Sequence, residues 1–361
     1  MDGFSLRLSH GPGVRVAVKD LLDMQGLPTT AGSAAVDPVP AERDAACLAG
    51  VRAGAVVVGR TVMHELAYGI SGVNAWQGTP TNPLDARLVP GGSSSGAAVV
   101  VASGEADVAI GSDTGGSVRL PAACCGVAGL KTTWGRISTE GVWPLAPSMD
   151  TIGPLARDVA GLVRGMQLLE PGFALGQPVT SVGRLRLPSA PGVDAAVDAA
   201  LEPLSTVDVT LPGWDEASAA AGVLLSHEAH GLVGHLVATG RVGADVAGHL
   251  ARGGSWSTAE LAAAAGVRRT WTAALLDALG QHGLLALPTM RDAPPRLDEA
   301  PRMYDLRLTL PVNLAGVPAI SVPIPRRDGP PASLQLVGPP GSEEVLLATA
   351  LALQECGRIM A

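Results

Sequence analysis

Short β-branched and aliphatic runs alternate along this chain with longer segments of helical period, and that alternation restricts it to an α/β fold. The pattern predicts strands over 14–18 (ending at Lys19 and Asp20), 55–59, 108–110, 184–187, 207–211, 284–287, 319–322 and 333–337. It predicts helices over 40–53, 95–103, 193–201 and 342–355, and an alanine-rich helical stretch over 215–281 interrupted at Gly253 and Gly254. The sequence contains no internal repeat, disordered linker or charge run, so residues 1–361 read as a single domain.

Composition narrows the function classes. Hydrophobic residues make up 47% of the 361 residues and charged residues only 16%, with 46 glycines and 29 prolines, as in a compact, loop-rich enzyme. The formal net charge is −8 and basic residues do not cluster, which argues against nucleic acid and anionic membrane as partners. Cys47, Cys124, Cys125 and Cys356 show no CxxC spacing, so they read as small hydrophobes in a reducing compartment. No apolar run reaches membrane-spanning length and residues 1–14 lack a signal-type apolar core. These features lead us to expect a soluble, cytoplasmic protein.

The residues that carry chemistry concentrate between Val89 and Ser138. Two Gly-Gly-Ser elements lie there, Gly91-Gly92-Ser93 and Gly115-Gly116-Ser117, separated by an apolar helix and a strand. In Thr114-Gly115-Gly116-Ser117 the glycines let successive backbone N–H groups converge on one point, where they can hold an oxyanion while a serine hydroxyl attacks a carbonyl. The same turn can be a connection and nothing more, or can bind phosphate. Against phosphate, no GK[ST] and no GxGxxG with a downstream acid is present.

A serine nucleophile needs a base. The histidines (10, 64, 227, 230, 235, 249 and 282) are scattered, and His227 and His230 stand at i, i+3 rather than the i, i+4 of a zinc-binding HExxH, so no metal site is expected. Lys19 and Lys131 are the only lysines. Lys19 ends an apolar strand, where desolvation would lower its pKa toward that of a working base; an ion pair with Asp20 or Asp23 is the alternative. Lys131, flanked by Thr132 and Thr133, suits a structural tether.

These blocks resemble the amidase-signature family of amidohydrolases over nearly the whole chain. The match runs from VRVAVKDLLDMQGLPTTAGS (14–33) through the glycine- and serine-rich block to LPVNLAGVPAISVPIP (310–325) and ASLQLVGPPGSEEVLLATA near the C-terminus. The resemblance implies a large mixed β-sheet covered on both faces by α-helices, and a Ser–Ser–Lys catalytic set. Lys19 matches the base, Ser93 the relay serine, which follows a cis peptide bond in the family, and Ser117 the nucleophile. It implies further that Thr114, Gly115 and Gly116 with Ser117 stabilise the oxyanion, and that Tyr68, Gly69 and Ile70 border the acyl pocket. No metal or organic cofactor is implied. Asp113 and Arg119 are expected to fix the nucleophile turn, and Cys125 matches a structural cysteine.

Several departures bear on function. The chain begins just ahead of the lysine strand, so the helical N-terminal region of most members is expected to be absent, which leaves a homodimer open. GGSSSGAA stands where GGSSGGSA is commoner, and KTT replaces KPT. With GTPTNP upstream and PLAPSMDTIG downstream, these features look closer to small-molecule amidases such as indole-acetamide hydrolases than to an amidotransferase component. The expected partner is thus a small-molecule amide. The alternatives are the glutaminase A subunit of a tRNA-dependent amidotransferase, whose C-terminal pocket motif is not found around Tyr304, an acyl-transfer enzyme using an amine acceptor, and an inactive scaffold.

Overall fold

The computed structural model describes residues 1–8, 11–302 and 305–360. Eleven strands form one mixed sheet: β1 (Phe4–Arg7), β2 (Arg15–Lys19), β3 (Val56–Thr61), β4 (Val108–Asp113), β5 (Ala128–Lys131), β6 (Thr151–Ala156), β7 (Ser181–Leu185), β8 (Ser205–Val209), β9 (Leu285–Pro288), β10 (Ala319–Ile324) and β11 (Ala332–Val337). Their order is β1-β3-β2-β4-β6-β5-β10-β11-β9-β7-β8. The β2–β3, β2–β4, β7–β8 and β7–β9 pairs are parallel and the others antiparallel. The helices are α1 (Ala49–Gly54), α2 (Ser95–Ala102), α3 (Arg119–Cys125), α4 (Val159–Leu169), α5 (Pro191–Ala200), α6 (Trp214–Val233), α7 (Ala244–Gly253), α8 (Thr258–His282), α9 (Leu310–Leu314) and α10 (Glu343–Glu355).

Strand periodicity divides the core between the two faces of the sheet. In β2 and β4, Val16, Val18, Val108 and Ile110 pack into the larger cluster with α4 residues Val159, Leu162 and Met166. Ala17 and Ala109, on the alternate positions, meet Ala97 to Val101 of α2 in a second cluster. Small residues on that face let α2 lie close to the sheet. Its buried valines Val99, Val100 and Val101 each contribute ~1.5–3 kcal/mol by leaving water. Helix α2 is apolar on all sides because both of its faces are covered.

Two local departures from the sequence pattern have clear causes. The helix expected over 40–53 forms only at its end, as a 3₁₀ turn (Ala46–Leu48) and α1. Ahead of it, the amide of Ala41 donates to Leu27 O and its carbonyl accepts from Gly26 N, which fixes that backbone in a loop. Strand β6 carries Gly153 and Pro154, a turn-like pair, and so escaped the strand pattern. Its pairing with β5 covers only Leu155 and Ala156, so Pro154 owes no amide to that side. At Gly153 any Cβ would collide with Leu130 O.

Candidate active site

Three chain segments meet at the C-terminal ends of β2 and β4. The β2–β4 register sets Val18 beside Ile110, which brings Lys19 level with the last residues of β4. There Lys19 Nζ donates to Ser93 Oγ at 2.7 Å and to Ser112 Oγ at 2.9 Å. Burial pushes the Lys19 pKa down to about 7, against an opposing pull from Asp113 and Asp150. A lysine neutral near pH 7 has two N–H donors and one lone pair, so a neighbouring hydroxyl can give it a proton.

Glycine makes room for Ser93. A Cβ on Gly91, whose φ is 74°, would lie 2.8 Å from Cys124 Sγ, and one on Gly92 would lie 2.9 Å from Gly72 N. The Gly92–Ser93 peptide bond is cis. The carbonyl of Ser93 accepts from His64 N at 3.0 Å, and the next amide, Ser94 N, donates to Ser117 O at 3.2 Å. This segment therefore bridges the 64–70 loop and the serine turn.

The serine turn is clamped by a buried ion pair. Asp113, fully buried at the end of β4, accepts from Gly116 N (2.8 Å), Val118 N (3.2 Å), Arg119 Nε (3.0 Å), Arg119 Nη2 (2.9 Å) and Asn313 Nδ2 (2.9 Å). Arg119 also donates to Gln335 Oε1 at 2.6 Å. Burial alone would raise the Asp113 carboxyl, but Arg119, Lys131 and Asn313 outweigh it and hold it well below the usual carboxylate range. Gly116, at φ 130°, has no space for a side chain: a Cβ would sit 2.5 Å from Thr309 Oγ1.

Not every residue of the expected set reaches the same place. Tyr68, Gly69, Ile70, Gly115 and Ser117 line one cleft, together with Ala67, Leu145, Leu225 and Leu306. Thr114 and Gly116 do not. Thr114 Oγ1 donates to Asp150 Oδ1 at 2.6 Å, and the Gly116 amide is committed to Asp113. The Gly116 N–H is bonded to Asp113, and Gly115 and Ser117 are the turn residues on the cleft wall. Asp150, its carboxyl raised by burial, also accepts from Leu145 N at 3.0 Å and so ties the turn to another cleft residue.

Lys131 donates to Thr132 O and Val317 O, the expected tether. Cys125 donates to Pro90 O, and burial pushes its thiol well above the ordinary value. Glu228, between His227 and His230, accepts from Ser148 N at 3.0 Å, and among the described residues no group of His, Cys, Asp and Glu could hold a metal ion. Tyr304 itself lies outside the described residues. Sequence reasoning missed Ser112, Asp150, Leu145, Leu225 and Leu306. Strand pairing with β2 would have pointed to Ser112; the leucines come from distant segments and carry no local signal.

The amidase family model matches residues 11–171 and 243–347. The chain belongs to the amidase family. It is a C–N hydrolase by that membership, with the mixed sheet and flanking helices of amidase-signature structures. The glutamyl-tRNA(Gln) amidotransferase A subunit of Halobacterium salinarum is 34% identical, over 96% of this chain and 96% of the relative. Amidase 1 of Oryza sativa is 32% identical, over 93% of this chain and 88% of the relative. A solved structure described as a crystal structure of amidase has a TM-score of 0.86 and 31% identity, covering 96% of this chain and 84% of the other. Relatives of both kinds thus stand at similar identity. No helix among the described residues is long and apolar enough to cross a membrane.

Proposed function

We propose that this amidase cleaves a small-molecule carboxamide through an acyl-enzyme on Ser117. The observation that carries the reading is the contact of Lys19 Nζ with Ser93 Oγ, buried beneath a turn that ends in Ser117. Neutral Lys19 takes the Ser93 proton while Ser93 takes the Ser117 proton, and Ser117 Oγ forms a bond to the amide carbonyl carbon. The tetrahedral oxyanion is held by turn amides, with Gly115 and Ser117 the donors on the cleft wall. On collapse the C–N bond breaks, and the proton returns through Ser93 to the leaving nitrogen. Water then adds to the acyl-enzyme and releases the carboxylic acid. No step calls for a metal or organic cofactor.

The likeness to glutamyl-tRNA(Gln) amidotransferase components favours a second reading, in which glutamine is the amide and a partner protein takes the ammonia. One experiment tests the first reading: purified protein should release ammonia from simple amides, and Ser117→Ala should abolish that release with the fold intact. Ammonia release at the wild-type rate by the variant would refute it. Glutamine as the sole good substrate, with copurifying partner proteins, would favour the second.

A further inference from the structure

Three leucines far apart in sequence line the cleft at Ser117. Leu225 comes from the middle of α6, Leu145 from the loop ahead of β6, and Leu306 from the segment that leads into α9; they face Ala67, Tyr68 and Ile70. They stand against the nucleophile turn itself. A Cβ on Gly115 would lie 3.8 Å from Leu225 Cδ1, 3.7 Å from Leu306 Cδ2 and 3.1 Å from Leu310 Cδ1. The cleft is partly open to solvent, and about 20 Å³ remains free within it beside the leucines.

None of the described residues lining this cleft carries a formal charge. Among the described residues, several charged groups near it already have partners. Asp113 pairs with Arg119, Lys19 binds Ser93 and Ser112, and Asp150 accepts from Thr114 and Leu145. Glu228 accepts from Ser148. Flanking Leu306, Asp305 pairs with Arg307 and Arg291.

Resting on the Ser117 acyl-enzyme reading above, we infer that the acyl half of the substrate is short, apolar and uncharged, with Leu225 as a specificity-determining residue. Glutamine would carry an ammonium and a carboxylate into or past this leucine wall only three carbons from its carbonyl. A charge placed there without a partner loses its hydration and gains nothing in return, whereas an alkyl group loses only unfavourable contact with water. The leucines also limit length: a longer acyl chain must displace Leu225 or Leu306 from a packed position.

The test combines labelling with a substrate series on the full chain. A fluorophosphonate should label Ser117, as read by peptide mapping. Ammonia release should then give a kcat/KM for propionamide at least about 100-fold above that for glutamine. Leu225→Ala should raise the hexanamide-to-propionamide ratio by about tenfold or more, because pocket methylenes discriminate on that scale. Leu225→Val, a milder change, should move the ratio in the same direction and guards against loss of fold in the alanine variant. A labelled enzyme that uses glutamine as well as propionamide overturns the inference and leaves the acyl-enzyme reading standing. So does an unchanged chain-length ratio in the folded variants. Failure to label Ser117, with no ammonia from any amide, overturns the acyl-enzyme reading and the substrate class with it.

Discussion

Replacing Lys19 by methionine separates its chemical role from its energetic cost. Burial lowers its pKa from 10.5 to about 7, a difference of roughly 3.5 pH units. At ~1.36 kcal/mol per unit, the folded protein gives up about 5 kcal/mol at low pH to keep this ammonium buried. The direction with pH follows from proton counting. Between pH 7 and 10.5 the unfolded chain holds the Lys19 proton and the folded chain does not, so this residue makes stability rise with pH. Below pH 7 both states are protonated, and its contribution is flat at its most unfavourable value. Lys19→Met is close in volume and has no charge to desolvate. Urea unfolding of both proteins at matched pH should therefore show the wild type gaining on the variant by about 2 kcal/mol between pH 7.5 and 9. The variant should meanwhile lose about 10²–10⁴-fold in kcat/KM, the usual contribution of a general base. Unfolding curves that keep a constant separation across that pH range would refute the claim that Lys19 is neutral in the folded protein above pH 7.

Two other outcomes follow from the same geometry. The wild-type kcat/KM should fall about tenfold per unit as pH drops below about 7, since protonated Lys19 cannot accept from Ser93; a profile flat from pH 5 to 8 would contradict this. Arg119→Met should leave the buried Asp113 carboxylate without its main partner and destabilise the fold by about 3–5 kcal/mol, read as a drop in the denaturation midpoint. A midpoint near wild type would mean that Asn313 and the turn amides suffice.

How far the sequence reached depended on whether a feature was local. The strand ending in Lys19 was legible because an apolar run stopping at a lysine needs no distant information. The alternation of Val16 and Val18 with Ala17 likewise foretells two covered faces. Strand β6 was hidden because Gly153 and Pro154 obey the geometry of Leu130 and of the β5 pairing, which only the assembled sheet supplies. The Asp113–Arg119 pair could be read from its position around the turn. The bond from Gly116 N to Asp113 Oδ1 could not, because an amide's direction depends on the turn's actual dihedral angles. The cleft wall was the least legible part: Leu145, Leu225 and Leu306 look like ordinary core leucines until the chain brings them to Ser117.

The most direct test of the central claim is peptide mapping by mass spectrometry of enzyme quenched in acid during turnover of a simple amide. The mechanism predicts the mass of the substrate, less the released ammonia, added to the peptide carrying Ser117, and its absence from Ser117→Ala. An acyl adduct on a different residue would contradict it, as would steady turnover by the Ser117→Ala protein.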